Sequence, residues 1–185
     1  MDDARITALA LRAREGDRTA AGEFVAATQQ QVWRLLGHLA DPVVAEELTQ
    51  ETYERALGSL RRYRGDAPAR SWLLSIARRV AADHLRRRAR RPVAPAEPAE
   101  DDRPLGRAPQ PDPAESAAVR DALAALDADR REAFVLTQMI GLSYADAAAV
   151  CRCPIGTVRS RVARARADLV DALGELPAAE QHRSG

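Results

Sequence analysis

Seven of the eleven prolines in this 185-residue chain fall between positions 92 and 113, interleaved with Glu97, Glu100, Asp101 and Asp102. A proline ring removes a backbone donor and clashes with the preceding helical turn, so no helix propagates through such a run. Acids and prolines also offer little apolar surface to bury. Residues 92–115 are therefore expected to form an extended acidic tether, dividing the chain into one body over 1–91 and another over 116–176, with a short tail at 177–185. At ~3.1 Å per residue in a polyproline II conformation the tether reaches about 70 Å. An inert linker is the plain reading of it; a spacer between two working modules is the other.

Both bodies read as helical. Aromatic residues make up only 4% of the chain, alanine is abundant, and alternating Val/Ile/Thr runs of the kind a strand needs are absent from the sequence. In the first body Val32, Leu35, Leu36 and Leu39 form one apolar stripe, and Trp72, Leu73, Ile76, Ala77 and Val80 form another. With 46% hydrophobic residues the chain can build real cores. The expected fold class is all-α, two small helical domains joined by a flexible, proline-rich acidic linker. No apolar stretch approaches 18 residues and no signal peptide opens the chain, so a cytoplasmic protein without membrane insertion is expected. Cys151 and Cys153 have no third or fourth thiol beside them, and His38, His84 and His182 are scattered. Neither a metal nor any other cofactor is expected, and the two cysteines are read as small buried hydrophobes.

Residues 142–167 carry the sharpest local signal. Ser143 is placed to cap a short, alanine-filled helix, and Pro154 stands where the next helix begins. In that second helix Val158, Val162, Ala165 and Leu169 follow the spacing of a buried stripe. At 100° per residue the opposite face holds Gly156, Ser160, Ala163 and Arg164, flanked by Thr157 and Arg159. Small residues allow close approach to a groove, a hydroxyl bonds phosphates or base edges, and arginine forks onto guanine. This is a helix-turn-helix with its second helix fitted for the major groove. A merely solvated, arginine-rich helix end would explain the charges but not the small residues between them.

The formal net charge of +1 hides a segregation along the chain: residues 61–91 alone carry 11 arginines against 2 acids. Such a block is an electrostatic footprint for nucleic acid. At its start, residues 61–71 place Tyr63 among arginines and lead into a helix near Trp72 that ends in an arginine run. A ring beside guanidinium groups suits unstacked bases, which are what a melted duplex exposes; both aromatics could equally be core or boundary residues, and for Trp72 the core is the favoured place. Upstream, residues 41–56 begin with a capping aspartate and a first-position proline and present an acidic surface with Gln50. An ordinary solvated helix looks the same.

Taken in order, Ala45-Glu46-Glu47-Leu48-Thr49-Gln50-Glu51, Tyr63-Arg64-Gly65, the Trp72 to Arg78 helix, Asp83 to Arg86, and the run from Cys153 through Arg161 to Arg166 resemble an extracytoplasmic-function sigma factor of bacterial RNA polymerase. The resemblance implies a two-domain specificity subunit whose partners are core RNA polymerase and promoter DNA, and it leaves room for an anti-sigma factor. It assigns core binding to Asp41, Glu46, Glu47, Gln50 and Glu51. Reading and melting of the minus-ten element fall to Tyr63, Arg64, Asp66, Arg78, Arg79 and Arg86, with Tyr63 lining a pocket for a flipped base. The minus-thirty-five element falls to Thr157, Arg159, Ser160, Ala163 and Arg164. Arg79 stands where the family often has asparagine, and Ala163 where many members carry a bulkier residue. The tether would thread through the path of the RNA.

The sequence shows no G-x-S-x-G, Walker loop or H-E-x-x-H, so no covalent chemistry is expected. A stand-alone helix-turn-helix regulator is the alternative, but it would need a dimerisation seam or a receiver-like β/α pattern, and neither is visible. A DNA-modifying enzyme with a reading domain would need a catalytic constellation.

Overall fold

A computed structural model describes residues 2–90 and 117–174; the expected tether over 92–115 and the tail over 177–185 lie outside the described residues. The first body contains α1 (Asp3–Arg14), α2 (Arg18–Leu39), a 3-10 turn at Pro42–Val44, α3 (Ala45–Ser59), a 3-10 turn at Leu60–Arg62 and α4 (Ala69–Arg90). The second contains α5 (Ala117–Ala125), α6 (Ala128–Phe134) running on into a π turn at Val135–Met139, α7 (Tyr144–Cys151) and α8 (Ile155–Gly174). No strand occurs among the described residues, so the fold class is all-α as expected.

Local chemistry sets the helix starts. Asp17 accepts from the Ala20 amide at 2.9 Å to open α2, and the preceding Gly16, at φ +99°, turns the chain out of α1. Asp41 accepts from the Val43 amide at 2.9 Å, with Pro42 in the first turn where its missing donor is not needed. Ser143 caps α7 through the Asp146 amide at 3.0 Å. Pro154 sits one residue before α8, and its carbonyl takes the Thr157 amide at 2.9 Å, so it flanks that helix instead of occupying its first position.

The apolar stripes close the first body. Phe24, Val32, Leu35 and Leu36 of α2 meet Leu48 and Ala56 of α3 and Leu73, Ala77 and Val80 of α4, all fully buried, while Ile6, Leu9 and Ala10 bring α1 onto the same core. Each such Leu, Val or Phe removed from water contributes roughly 1.5–3 kcal/mol. One polar pair is enclosed with them: the Thr28 hydroxyl and the Tyr53 phenol lie 2.7 Å apart. Burial pushes Tyr53 up to about 12, with the Thr28 bond pulling the other way.

The two bodies lean on each other. A single apolar cluster runs from α1–α4 into Ala133, Leu136, Ile140, Ala147, Val150, Cys151, Val158 and Val162 of the second body. Ion pairs and hydrogen bonds stitch its edge: Arg78 of α4 bonds Glu132 of α6, Arg70 donates to the Ile140 carbonyl, and Arg131 donates to the His38 carbonyl at 3.4 Å. Leu123 and Leu126 cover the far end of α8 in a smaller cluster with Ala165 and Leu169.

Candidate nucleic-acid and polymerase interfaces

The helical phase read from the sequence holds along α8. Val158, Val162, Ala165 and Leu169 are all buried, which turns Gly156, Arg159, Ser160, Ala163 and Arg164 to solvent and leaves Thr157 half-buried beside them. The four arginines of α8 sort by direction. Arg161 turns back to Asp129 and to the Cys153 sulfur, and Arg166 donates to Gln138 Oε1 at 2.6 Å. Arg159 and Arg164 remain outward and exposed. The Ser160 hydroxyl donates to the Thr157 carbonyl at 2.9 Å, which leaves its oxygen lone pairs facing out. The turn before α8 is closed by Arg152 in the left-handed conformation at φ 56°. Cys151 is buried, its thiol pushed up to about 12 first by that burial.

The arginine-rich block builds a concave site at the start of α4. A cavity of about 340 Å³ is lined by Arg62, Tyr63, Arg64, Asp66, Ala67 and Trp72, a size that takes one small organic group. Tyr63 is not a free stacking platform: it is only 5% exposed, its phenol donates to the Ala67 carbonyl at 2.5 Å, and its ring lies 4.9 Å from that of Trp72, tilted by 36°. It walls the cavity, while Arg62, Arg64 and Asp66 are exposed around it. Trp72, which the sequence reading leaned toward the core, packs on the core with one side and lines the cavity with the other. Burial raises the Tyr63 pKa.

Along α4 the candidate arginines part company. Residues 72, 79 and 86 recur every seven positions and share one stripe, so Arg79 and Arg86 continue the face that Trp72 opens. Both are exposed, and Arg86 donates to Asp83 at 2.5 Å. Burial, then the charges of Arg152 and Arg78, lower the Arg79 pKa. Arg78 is one residue round the helix and points at the second body. Its guanidinium bonds Glu132, with side-chain exposures of 30% and 8%. Burial works against the Arg78 charge, but Glu132 outweighs it and raises the pKa. Burial likewise lifts Glu132 above the ordinary carboxylate range, with Arg78 pulling it back.

The acidic candidates also divide. Glu47 and Gln50 are exposed and Glu46 half-buried on α3, beside Val43, which is 88% exposed. Glu51 instead faces α4, held by Arg55 at 2.5 Å and Arg87 at 3.2 Å. Asp41 is engaged in its cap and lies 4.0 Å from Arg88. The basic end of α4 thus neutralises part of the acidic surface. Trp72, Arg62 and Ala67 were missing from the sequence-derived site set because a cavity wall is assembled by the turn, and spacing alone does not show it.

An exposed, arginine-bearing second helix on one body and an arginine-rimmed cavity on another fit a DNA-binding protein of the helix-turn-helix class. Comparison with known proteins narrows the class. Residues 24–91 match the Sigma-70 region 2 family and residues 116–169 match Sigma-70, region 4. The chain is 48% identical over 170 residues to the ECF RNA polymerase sigma factor SigC of Mycobacterium tuberculosis, covering 89% of each chain. It is 35% identical over 177 residues to the RNA polymerase sigma-H factor of Pseudomonas aeruginosa, covering 89% of this chain and 92% of that one. Among the solved structures that resemble it are two complexes. One is CnrH in complex with the cytosolic domain of CnrY, with a TM-score of 0.70, 26% identity and coverage of 94% and 98%. The other is the sigma factor RpoE of Bartonella quintana in complex with the anti-sigma factor NepR, with a TM-score of 0.66, 27% identity and coverage of 84% and 98%. The chain belongs to the extracytoplasmic-function sigma factors, transcription initiation factors that bind core RNA polymerase and promoter DNA and have no catalytic activity of their own. No helix among the described residues is long and apolar enough to cross a membrane.

Proposed function

We propose that the two interfaces divide the promoter between them: the outward face of α8 reads the minus-thirty-five element and the cavity at the start of α4 receives a base of the minus-ten element. On α8, Arg159 and Arg164 are the groove readers, with Thr157 and Ser160 bonding phosphates or base edges and Ala163 permitting close approach. At the cavity, Tyr63 and Trp72 form an apolar wall for an unstacked base, Arg64 and Asp66 supply a donor and an acceptor for its edge, and Arg79 and Arg86 hold the strand that continues along α4. The observation that carries this reading is the cavity itself, because an aromatic wall with polar groups at its rim is what capture of a single base requires.

Arg78 touches DNA only if it leaves Glu132, so its role in the minus-ten module requires the two bodies to separate. Docking on core polymerase through Glu46, Glu47 and Gln50 is the event that separates them, with Asp41 and Glu51 acting mainly to hold α3 and α4 together. The tether, 92–115, joins modules that would then stand about two turns of B-DNA apart. The protein acts in the cytoplasm with the polymerase, and an anti-sigma factor is a further expected partner, as the solved RpoE of Bartonella quintana carries one. Run-off transcription with purified core polymerase tests the reading. A promoter-specific product that appears only when this chain is added, and that loses its minus-ten base preference in Arg64→Ala and Asp66→Ala, supports it. A product whose base preference survives both substitutions would exclude the cavity as the reading site.

A further inference from the structure

Helix α1 ends before residue 24, where the region 2 match begins, yet one of its faces is given over to the cavity loop. Thr7, Leu11 and Arg14 follow the i, i+4, i+7 spacing that puts side chains on a single stripe, and each meets a different part of residues 63–69. Arg14 donates to the Tyr63 carbonyl at 3.2 Å, where the loop starts. Leu11 lies under the middle, with its methyl 3.5 Å from the position a Cβ would take at Gly65. Gly65 itself has φ +83°, a conformation other residues adopt only with strain. The Thr7 hydroxyl accepts the Ala69 amide at 3.1 Å, where the loop ends.

Ala69 is the first residue of α4, and its N–H is one of the amides a helix cannot satisfy from within. Such amides are satisfied by side chains, water or ligands from outside the helix. Here the neighbour is Pro68, which has no polar side chain, and the cap comes from a residue 62 positions away. That helix carries Trp72, Arg79 and Arg86, so the Thr7 hydroxyl ties α1 to the first turn of the element on which the cavity face is built. Arg70, the next residue of α4, reaches Asp3 of α1 at 3.5 Å.

We infer that Thr7 and Arg14 are positioning residues for promoter reading, pinning the two ends of the 63–69 loop so that the cavity is formed before a base arrives. The inference rests on the cavity being the base-capture site. Binding to a preformed cavity avoids the entropy of ordering the loop on capture. Loss of the pin therefore weakens base capture, while α8 and the acidic face of α3, which α1 does not touch through these residues, go on working.

The test uses holoenzyme assembled from core polymerase and the full chain, with a promoter fragment selected by the wild-type holoenzyme from random DNA. The fragment carries 2-aminopurine at each minus-ten position in turn. Thr7→Val keeps the shape and removes the acceptor; Thr7→Ser restores it. Thr7→Val is expected to lower the affinity for the unpaired minus-ten strand by up to about tenfold, the upper end of what one lost hydrogen bond costs. It should also reduce the 2-aminopurine rise, leaving affinity for core and for duplex minus-thirty-five DNA unchanged, and Thr7→Ser should recover both losses. Amide hydrogen exchange supplies a second readout in the protein alone: Thr7→Val should raise exchange at residues 63–72 and nowhere else. If Arg64→Ala and Asp66→Ala relax base preference while Thr7→Val matches wild type in capture and exchange, the positioning role is wrong. If those two variants have no base-specific effect, the cavity reading is at fault. Faster exchange throughout α1–α4 in Thr7→Val, unrepaired by Thr7→Ser, would make Thr7 a general stability residue and overturn the inference.

Discussion

Removing Arg78 should open the molecule without unfolding either body. Glu132 is 8% exposed and its partner 30% exposed, so deleting the guanidinium strands a carboxylate that has almost no water of its own. Breaking a buried pair from one side costs about 3–5 kcal/mol. The partial exposure of Arg78 places this pair at the lower end, and ~3 kcal/mol corresponds to about a hundredfold shift toward separated bodies. The shift is capped, because parting of α4 from α6 lets Glu132 regain water and relieves the whole penalty. The reverse substitution is predicted to be milder. In Glu132→Gln the carboxylate's burial cost disappears, and Arg78 can still turn to solvent. Small-angle scattering reads the outcome: Arg78→Ala should show a larger radius of gyration at neutral pH with unchanged far-UV circular dichroism, while Glu132→Gln should stay close to wild type. Arg78→Ala scattering superposable on wild type would refute the reasoning, as would opening accompanied by lost helicity.

The same pair sets a pH dependence. Burial raises Glu132 above its ordinary value of 4.5, so its contribution to the closed arrangement is fully present below that value and is lost as pH rises through the raised one. Closure should therefore slacken toward neutrality, and Glu132→Gln should flatten that slope in scattering recorded across the window; an identical slope in wild type and variant would contradict it. Glu47→Lys, at an exposed position, should weaken core binding by roughly 1 kcal/mol or more with unchanged melting temperature, whereas Glu51→Lys should also lower the melting temperature by breaking its bonds to Arg55 and Arg87; calorimetry and pull-down with core separate the two. Arg159→Ala should cost ~1–3 kcal/mol at one base pair of the minus-thirty-five element and little elsewhere, read by competition among single-base variants of the selected promoter.

How much of this was legible beforehand follows the range of the interaction. The outward face of α8 could be phased because Val158, Val162, Ala165 and Leu169 obey a helical period, and periods are written locally. The caps at Asp41 and Ser143 were legible for the same reason. Pro154 fell one residue outside the helix it announces, a slip within the usual looseness of helix ends. Long-range pairings were not legible. Nothing near Arg78 announces Glu132, 54 positions on, and nothing near Glu51 announces Arg87, so both were assigned outward roles by position. Tyr63 looked like an offered ring because it stands among arginines. Its phenol is turned inward to the Ala67 carbonyl, and the loop that carries it is held by a helix whose mixed stripe of Thr7, Leu11 and Arg14 carries no motif. Region 2 and region 4 were recognisable as separate modules, but their mutual packing depends on the complementary surfaces of α4, α6 and α7, which no local pattern encodes.

The account stands on one chain gripping two separated promoter elements once it is mounted on the polymerase. Hydroxyl-radical footprinting of the selected promoter, with core alone, with this chain alone and with both, tests that directly. The account predicts two protected patches about two helical turns apart, present only with both components, with the downstream patch lost in Asp66→Ala and the upstream one in Arg159→Ala. A footprint of the same extent from the chain alone, or a single patch that neither substitution alters, would contradict it.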